Sequence, residues 1–160
     1  MKEAIVQILT ATAGTLGFVI YFRVSEKNAL AAMLGGALSW IIYPLVFHFT
    51  DNIFISNFAA AAIVYFWSEI MARVLKAPSN IYLVPGIIPL LPGGAIYYTA
   101  KALVLGNNAQ FSENGIKTLL ITFGMAAGMV CAAVIAYYFN RTKKAKSIIK
   151  KKGNINYEKQ

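Results

Sequence analysis

Residues 85–94 have the sequence Pro-Gly-Ile-Ile-Pro-Leu-Leu-Pro-Gly-Gly, inside a charge-free stretch that runs from Ala77 to Ala100. A proline inside a helix removes one backbone hydrogen bond and costs about 3 kcal/mol, and the residue before it is pushed away from helical angles. Pro89 follows Pro85 by four positions and Pro92 follows Pro89 by three, so successive turns each lose a bond. A continuous helix through residues 85–94 is therefore not expected.

The rest of the chain indicates that this segment lies in a membrane. Of its 160 residues, 58% are apolar and only 13% are charged, whereas a soluble domain is about one-quarter charged. The single cysteine and single histidine exclude a disulfide framework and a His/Cys metal site. The composition therefore predicts an integral membrane protein and argues against an ordinary soluble domain.

Long stretches without charge predict the membrane spans. A bilayer core about 30 Å thick is crossed by a helix of about 20 apolar residues. Because lipid offers no hydrogen-bond partners, the backbone N–H and C=O groups must bond to one another, which favours helices. The third stretch reaches this length if Glu69 is tolerated inside it. We predict an all-α integral membrane protein with five transmembrane helices, the fourth broken by the Pro/Gly-rich segment. The predicted spans are about 4–22, 28–50, 52–72, 77–100 and 118–140, followed by a basic cytoplasmic tail, residues 141–160.

The distribution of lysine and arginine predicts the orientation. Eight of the basic residues lie in the tail, and placing the tail in the cytoplasm puts twelve on that side and three outside. This agrees with the positive-inside tendency. We therefore predict a multi-pass protein of the inner cell membrane, with its N-terminus outside and its C-terminus in the cytoplasm. The tail is typical of an anchor attracted to anionic lipid, and no nucleic-acid partner is expected.

The broken segment is the candidate substrate path. Irregular backbone at membrane depth occurs where it is buried in protein or lines a water-filled cavity, and transporters use broken helices to bind substrates near the midplane. A half-helix that begins after Pro92 would present its amino end to an anionic group. The alternative is a structural kink, or a loop that only packs. The residues predicted to form the path are Pro85, Gly86, Pro89, Pro92, Gly93, Gly94 and Tyr97.

Two charges in the third span form the second candidate. Glu69 and Arg73 are four residues apart, so they share one helical face at the predicted cytoplasmic end. Ionisable groups within a membrane mark ion paths, which favours a gate or a coupling charge. The alternative is a self-neutralised pair at the interface. Neither a nucleophile–base pair nor an ATP motif is visible, so we expect no enzyme activity, no cofactor and no metal.

Small residues at four-residue spacing predict where the helices approach each other closely. They occur in the second, third and fifth predicted spans, as Gly35, Gly36 and Ser39, as Ser56 and Ala60, and as Gly124, Gly128 and Ala132.

Three motifs, spread over most of residues 20–140, resemble a known family. They are the glycine-rich segment Leu34-Gly35-Gly36-Ala37-Leu38-Ser39-Trp40, the group Ser68-Glu69 with Ala72-Arg73 and Lys76-Ala77-Pro78, and the proline–glycine segment 85–94 with Tyr97. Together they resemble the threonine/serine exporter family. The likeness is to its small YjjB-like membrane subunit, equivalent to the carboxy-terminal half of the fused exporters.

The resemblance implies export of small polar metabolites, either threonine/serine-type amino acids or succinate-type dicarboxylates. It also implies a larger five-span partner subunit with a cytoplasmic domain. An odd number of spans would place two joined halves in inverted orientation, as in many secondary transporters. We therefore predict a membrane subunit of a secondary exporter that works in a hetero-oligomer, with a homo-oligomer as a further arrangement. The alternative is a non-transporting membrane scaffold or assembly subunit for that partner.

Overall fold

The computed structural model describes the backbone of residues 2–157 and the side chains of residues 6–139 and of Arg141. Residues 158–160 of the predicted tail lie outside the described residues. Six α-helices and one 3₁₀ turn follow one another, and no strand occurs between residues 2 and 157, which confirms an all-α fold. The elements are α1 (Lys2–Tyr21), α2 (Glu26–Thr50), α3 (Ile53–Val74), α4 (Asn80–Ile87), the 3₁₀ turn Ile88–Leu90, α5 (Gly93–Val104) and α6 (Asn108–Tyr157).

Among the residues whose side chains the structure describes, three helices are long and apolar enough to cross a membrane: α2, α3 and the part Asn108–Phe139 of α6. The segments Asn80–Leu90 and Gly93–Val104 pass the same test only as a pair, which is bent by 47° and fits a broken span or a re-entrant loop. In α1, the part whose side chains are described, Val6–Tyr21, is a shorter apolar helix. Length and composition thus support three or four spans, and the five-span count stays a prediction.

The Pro/Gly-rich segment keeps more helix than its prolines predict. Helix α4 continues through Pro85 to Ile87, and Pro89 lies in the first positions of the 3₁₀ turn, where a missing N–H is tolerated. The chain leaves helical geometry at Leu91, whose ψ is 137°, and at Pro92. The helix is therefore interrupted only at these two residues, between the 3₁₀ turn and α5, and a broken fourth span stays a prediction.

Short turns make α1, α2 and α3 antiparallel neighbours. Arg23, Asp51 and Lys76 follow the ends of these helices and adopt positive φ angles of 51°, 46° and 53°. The left-handed conformation stops a helix and reverses the chain within a few residues. Asn52 then caps α3, because its side-chain oxygen accepts a hydrogen bond from the Ile55 backbone N–H at 3.2 Å.

The predicted small residues lie where helices cross. A Cβ built on Gly36 of α2 would overlap the side chain of Thr15 in α1. A Cβ on Gly124 of α6 would lie 2.6 Å from the Phe54 carbonyl oxygen of α3, and one on Gly128 would overlap the Phe58 carbonyl. These contacts confirm the close helix approach predicted from the four-residue spacing.

Helix α6 is longer than the predicted fifth span at both ends. It begins at Asn108, ten residues before the predicted start at 118, and it continues to Tyr157 through the basic tail. Leu120 lies in a groove with Asp51, Asn52 and the first residues of α3. The turns of α6 before Leu120 therefore extend past the start of α3, and α5 packs against them.

Candidate functional site

The first half of the broken segment is anchored at its start by a buried tyrosine. Tyr82 of α4 is fully buried, and its hydroxyl donates a hydrogen bond to Oδ1 of Asn28 in α2 at 2.9 Å. The Asn28 amide in turn donates to Oγ of Ser25 at 3.0 Å. This short chain of hydrogen bonds ties α4 to the amino end of α2.

One turn further along, α4 crosses α2 and α3 at Gly86. A Cβ on Gly86 would lie 3.0 Å from Cγ1 of Val64 and 3.3 Å from the carbonyl carbon of Gly35. Trp67 of α3 closes the same crossing, because its indole N–H donates to the Ala31 carbonyl of α2 at 2.9 Å. Pro85 and Gly86 are both buried here. The close approach of two backbones explains why a glycine is needed at position 86.

Protein also encloses the 3₁₀ turn. It contacts α1, α2 and α3, and Leu90 is buried in a cluster with Ala60, Ala61 and Met125. The Leu91 N–H bonds to the Ile88 carbonyl at 3.1 Å. The 3₁₀ turn is thus sheltered by protein, whereas Leu91, the first residue after it, is 54% exposed.

The second half of the segment lies in a different environment. Pro92 is buried, whereas Gly93 and Gly94 are exposed and a Cβ on either would meet nothing within 4 Å. The Gly93 N–H bonds to the Leu91 carbonyl at 2.8 Å, and no side chain caps the first turn of α5 within the described region. The amino end of α5 is thus open to whatever occupies the adjacent space.

Tyr97 lies on the exposed surface of α5. Its residue is 62% exposed, and its ring meets that of Tyr98 edge-on at 5.4 Å. The structure therefore divides the predicted path residues into two groups. Pro85, Gly86 and Pro92 are buried and Pro89 is partly buried, while Gly93, Gly94 and Tyr97 face outward.

The sequence did not predict the groove between α5 and α6. It has a volume of about 540 Å³ and an almost entirely apolar lining, formed mainly by Ile96, Thr99, Leu103, Phe111, Ile116 and Leu119. The residues that contribute from α6 lie before position 120, in the part of the chain predicted to be mostly a connection. The Asn107 side chain accepts a bond from the Gln110 N–H at 3.1 Å. This helix-start signal was present in the sequence.

Glu69 and Arg73 form the ion pair that their spacing suggests. Arg73 Nη2 lies 3.0 Å from Glu69 Oε2, with the side chains 50% and 21% exposed respectively. The pair borders a groove of about 200 Å³ between α3 and α6, which also includes Phe66 and Phe139. Arg73 is nine residues after Val64, so at about 100° per residue it lies on the opposite side of α3 from the Gly86 contact. Within one chain, the ion pair and the broken segment are therefore separate.

Together, these features define a helical membrane protein with an interrupted helix, whose first half is enclosed by neighbouring helices and whose second half is exposed. Interrupted helices are typical of secondary transporters. The family model described as Threonine/Serine exporter, ThrE, matches residues 7–135. The chain therefore belongs to the threonine/serine exporter family, a family of membrane transport proteins, which confirms the resemblance found in its motifs. The match includes every predicted path residue and both charges of the ion pair. No solved structure matches this chain.

Proposed function

We propose that this chain is a membrane subunit of a secondary exporter of small polar metabolites, with threonine/serine-type amino acids as its substrates. The observation that carries the proposal is the interrupted helix: its first half is fixed among α1, α2 and α3, and it is followed directly by the open amino end of α5. A purely structural kink would not need an exposed, uncapped helix start next to two glycines.

In this proposal the amino end of α5 holds the substrate carboxylate. Unbonded N–H groups and the helix dipole attract a negative charge there, and Gly93 and Gly94 let it approach the backbone closely. On the other side of the interruption, Pro89 has no N–H to donate to the Pro85 carbonyl. The Pro85 carbonyl therefore lacks its i,i+4 donor, and because Pro85 is fully buried it belongs to the enclosed half of the segment and not to the open start of α5.

The charge of the segment favours amino acids over dicarboxylates. Residues 77–100 contain no lysine or arginine, so the single helix end is the one positive feature that the segment offers. A succinate-type dicarboxylate needs a second positive group for its other carboxylate. Dicarboxylates are therefore the second substrate class of the proposal, and their transport would depend on a cation from a partner.

The exposed half of the segment also motivates a partner. Gly93, Gly94 and Tyr97 are open on a single chain, so a second membrane subunit is needed to enclose a path at α5. A larger five-span subunit with a cytoplasmic domain fits this role. If the present chain has five spans with its N-terminus outside, the two subunits would form an inverted pair. A substrate or ion gradient would then drive export, with Glu69–Arg73 as the cytoplasmic gate.

Metabolite efflux tests this proposal directly. Cells without their own exporters are loaded with threonine or serine, and efflux is measured with and without this chain and its partner. We expect Gly93→Leu to lower export at least about tenfold while the complex stays intact. Gly14→Leu is the matched control, because a Cβ on Gly14 in α1 also meets nothing within 4 Å. Normal export by Gly93→Leu would refute the path.

The same variants separate transport from scaffolding. A scaffold predicts that export fails only when the complex itself fails to assemble. Loss of export by Pro89→Ala in an intact complex therefore supports the path, whereas loss of the complex together with export supports the assembly role.

A further inference from the structure

The two tryptophans of the chain have opposite hydrogen-bonding states. The Trp67 indole N–H donates across helices to the Ala31 carbonyl. The Trp40 indole nitrogen is buried and has no partner, and among the side chains of residues 6–139 no other buried nitrogen or oxygen is left in this state. A buried donor without an acceptor destabilises a fold by about 1–3 kcal/mol. Such a group therefore needs an explanation.

Trp40 also has a free backbone acceptor. Pro44 lies four residues later inside α2, and a proline has no N–H with which to bond the Trp40 carbonyl. Trp40 is about 21 Å along the helix axis from Glu26 and about 15 Å from Thr50. A free donor and a free acceptor thus belong to one residue in the middle part of a candidate span, where lipid cannot satisfy them.

The position of Trp40 relates it to the interrupted helix. Its ring stacks on that of Tyr43, with centroids 5.7 Å apart. Tyr43 packs against the buried cluster that contains Leu90 of the 3₁₀ turn, and the turn itself contacts α2. Tyr43 therefore lies between Trp40 and the buried cluster to which the 3₁₀ turn contributes Leu90.

We propose that Trp40 recognises the hydroxyl group of the transported amino acid, an inference that rests on the proposed exporter function. A hydroxyl group both donates and accepts hydrogen bonds, so it matches one free N–H and one free carbonyl. Because the indole nitrogen is enclosed by protein, the solute reaches it when the stacked rings of Trp40 and Tyr43 move apart, while the backbones of the helices stay in place. Sites that bond a substrate hydroxyl discriminate strongly against the analogue that lacks it, since their polar groups are then left unpaired. Trp40 thus sets the preference for serine over alanine.

Export and stability give the first test, in the full complex. We expect Trp40→Phe to leave the melting temperature unchanged or higher, because no hydrogen bond is lost, and to reduce the serine-over-alanine export ratio at least about tenfold. Trp67→Phe is the matched control, and it should lower the melting temperature by removing a bond between helices. An unchanged export ratio in Trp40→Phe would overturn the inference. So would a fall in melting temperature as large as that of Trp67→Phe, since it would reveal a structural partner.

Fluorescence gives a second test that does not depend on transport. The Trp67→Phe variant keeps Trp40 as the only tryptophan of this chain, and the Trp40→Phe/Trp67→Phe double variant subtracts any signal from the partner subunit. The difference between the two emission spectra reports Trp40 alone. Added serine should shift this difference spectrum to longer wavelength until the shift saturates with serine concentration, and alanine should not shift it. An equal response to both amino acids, or none, overturns the inference. If Trp67→Phe does not assemble, the difference between wild type and Trp40→Phe reports the same quantity.

The two proposals fail in different ways. A wild-type complex that exports neither serine nor threonine removes the proposed function and this inference with it. A wild-type complex that exports both, and that Trp40→Phe does not alter, removes the role of Trp40 alone.

Discussion

The two halves of the interrupted segment are similar in composition and opposite in environment. Around α4, backbone lies against backbone, and a Cβ on Gly86 would press on Val64 and Gly35. At the start of α5, Gly93 and Gly94 have open space around them. The comparison teaches that the first half is a fixed support and the second half an accessible surface. A glycine is required for close packing in the first half, and in the proposed mechanism it allows a ligand to approach the backbone in the second.

The strongest test of this contrast exchanges glycine for leucine in both halves. Gly86→Leu should lower the free energy of unfolding by about 3 kcal/mol or prevent folding, because overpacking a tight crossing typically costs 1–3 kcal/mol and the backbone of α2 cannot yield. Gly94→Leu should change it by less than about 0.5 kcal/mol. Denaturant titration in detergent micelles measures both.

Equal stability losses in the two glycine variants would contradict the contrast. A stable Gly86→Leu protein would show that α4 and α2 do not pack closely at position 86. In either case the first half could no longer be described as a fixed support for the second.

The next test compares two tyrosine hydroxyls, one in each half. Tyr82→Phe removes the bond to Asn28 and should cost about 0.5–1.5 kcal/mol. Tyr97→Phe should leave stability unchanged, because the side chain lies on the surface of α5. Thermal unfolding of the purified complex measures the difference, and a Tyr97 variant that is the less stable of the two would contradict the division.

The sequence predicted the features that depend on local chemistry. Proline spacing placed the interruption within residues 85–94, and the structure places it at Leu91–Pro92. Small residues at four-residue spacing predicted close helix approach in the second, third and fifth predicted spans, and the structure places these residues where α2 meets α1 and where α3 meets α6. The i,i+4 spacing of Glu69 and Arg73 predicted their ion pair. Each of these depends on residues a few positions apart, so a pattern along the chain is sufficient.

The features that were missed depend on residues far apart in sequence. Gly86 and Gly93 look alike along the chain, and only the helices around them decide which one is buried. The missing acceptor of Trp40 is visible only once the neighbours of its indole nitrogen are known.

The early start of α6 was predictable in principle from Asn107 and Gln110. The run of polar residues in 107–117 instead suggested a connection between spans.

The smallest expected effect concerns the Glu69–Arg73 pair, which lies on the side of α3 away from the interrupted helix. Half of the Arg73 side chain is exposed, so Glu69→Gln should change stability by less than about 1 kcal/mol. If the pair is a gate, the same variant should slow export without loss of the complex. The Glu69→Arg/Arg73→Glu exchange should then restore export, because it keeps the attraction between the two side chains and exchanges the positions of their charges.

The initial rate of efflux measures the effect, with Glu113→Gln as control, since Glu113 forms an equivalent i,i+4 pair with Lys117. Unchanged export in Glu69→Gln would show that the pair is an interfacial anchor and not a gate. The proposed mechanism would then depend only on the interrupted segment, with its enclosed first half and its exposed second half.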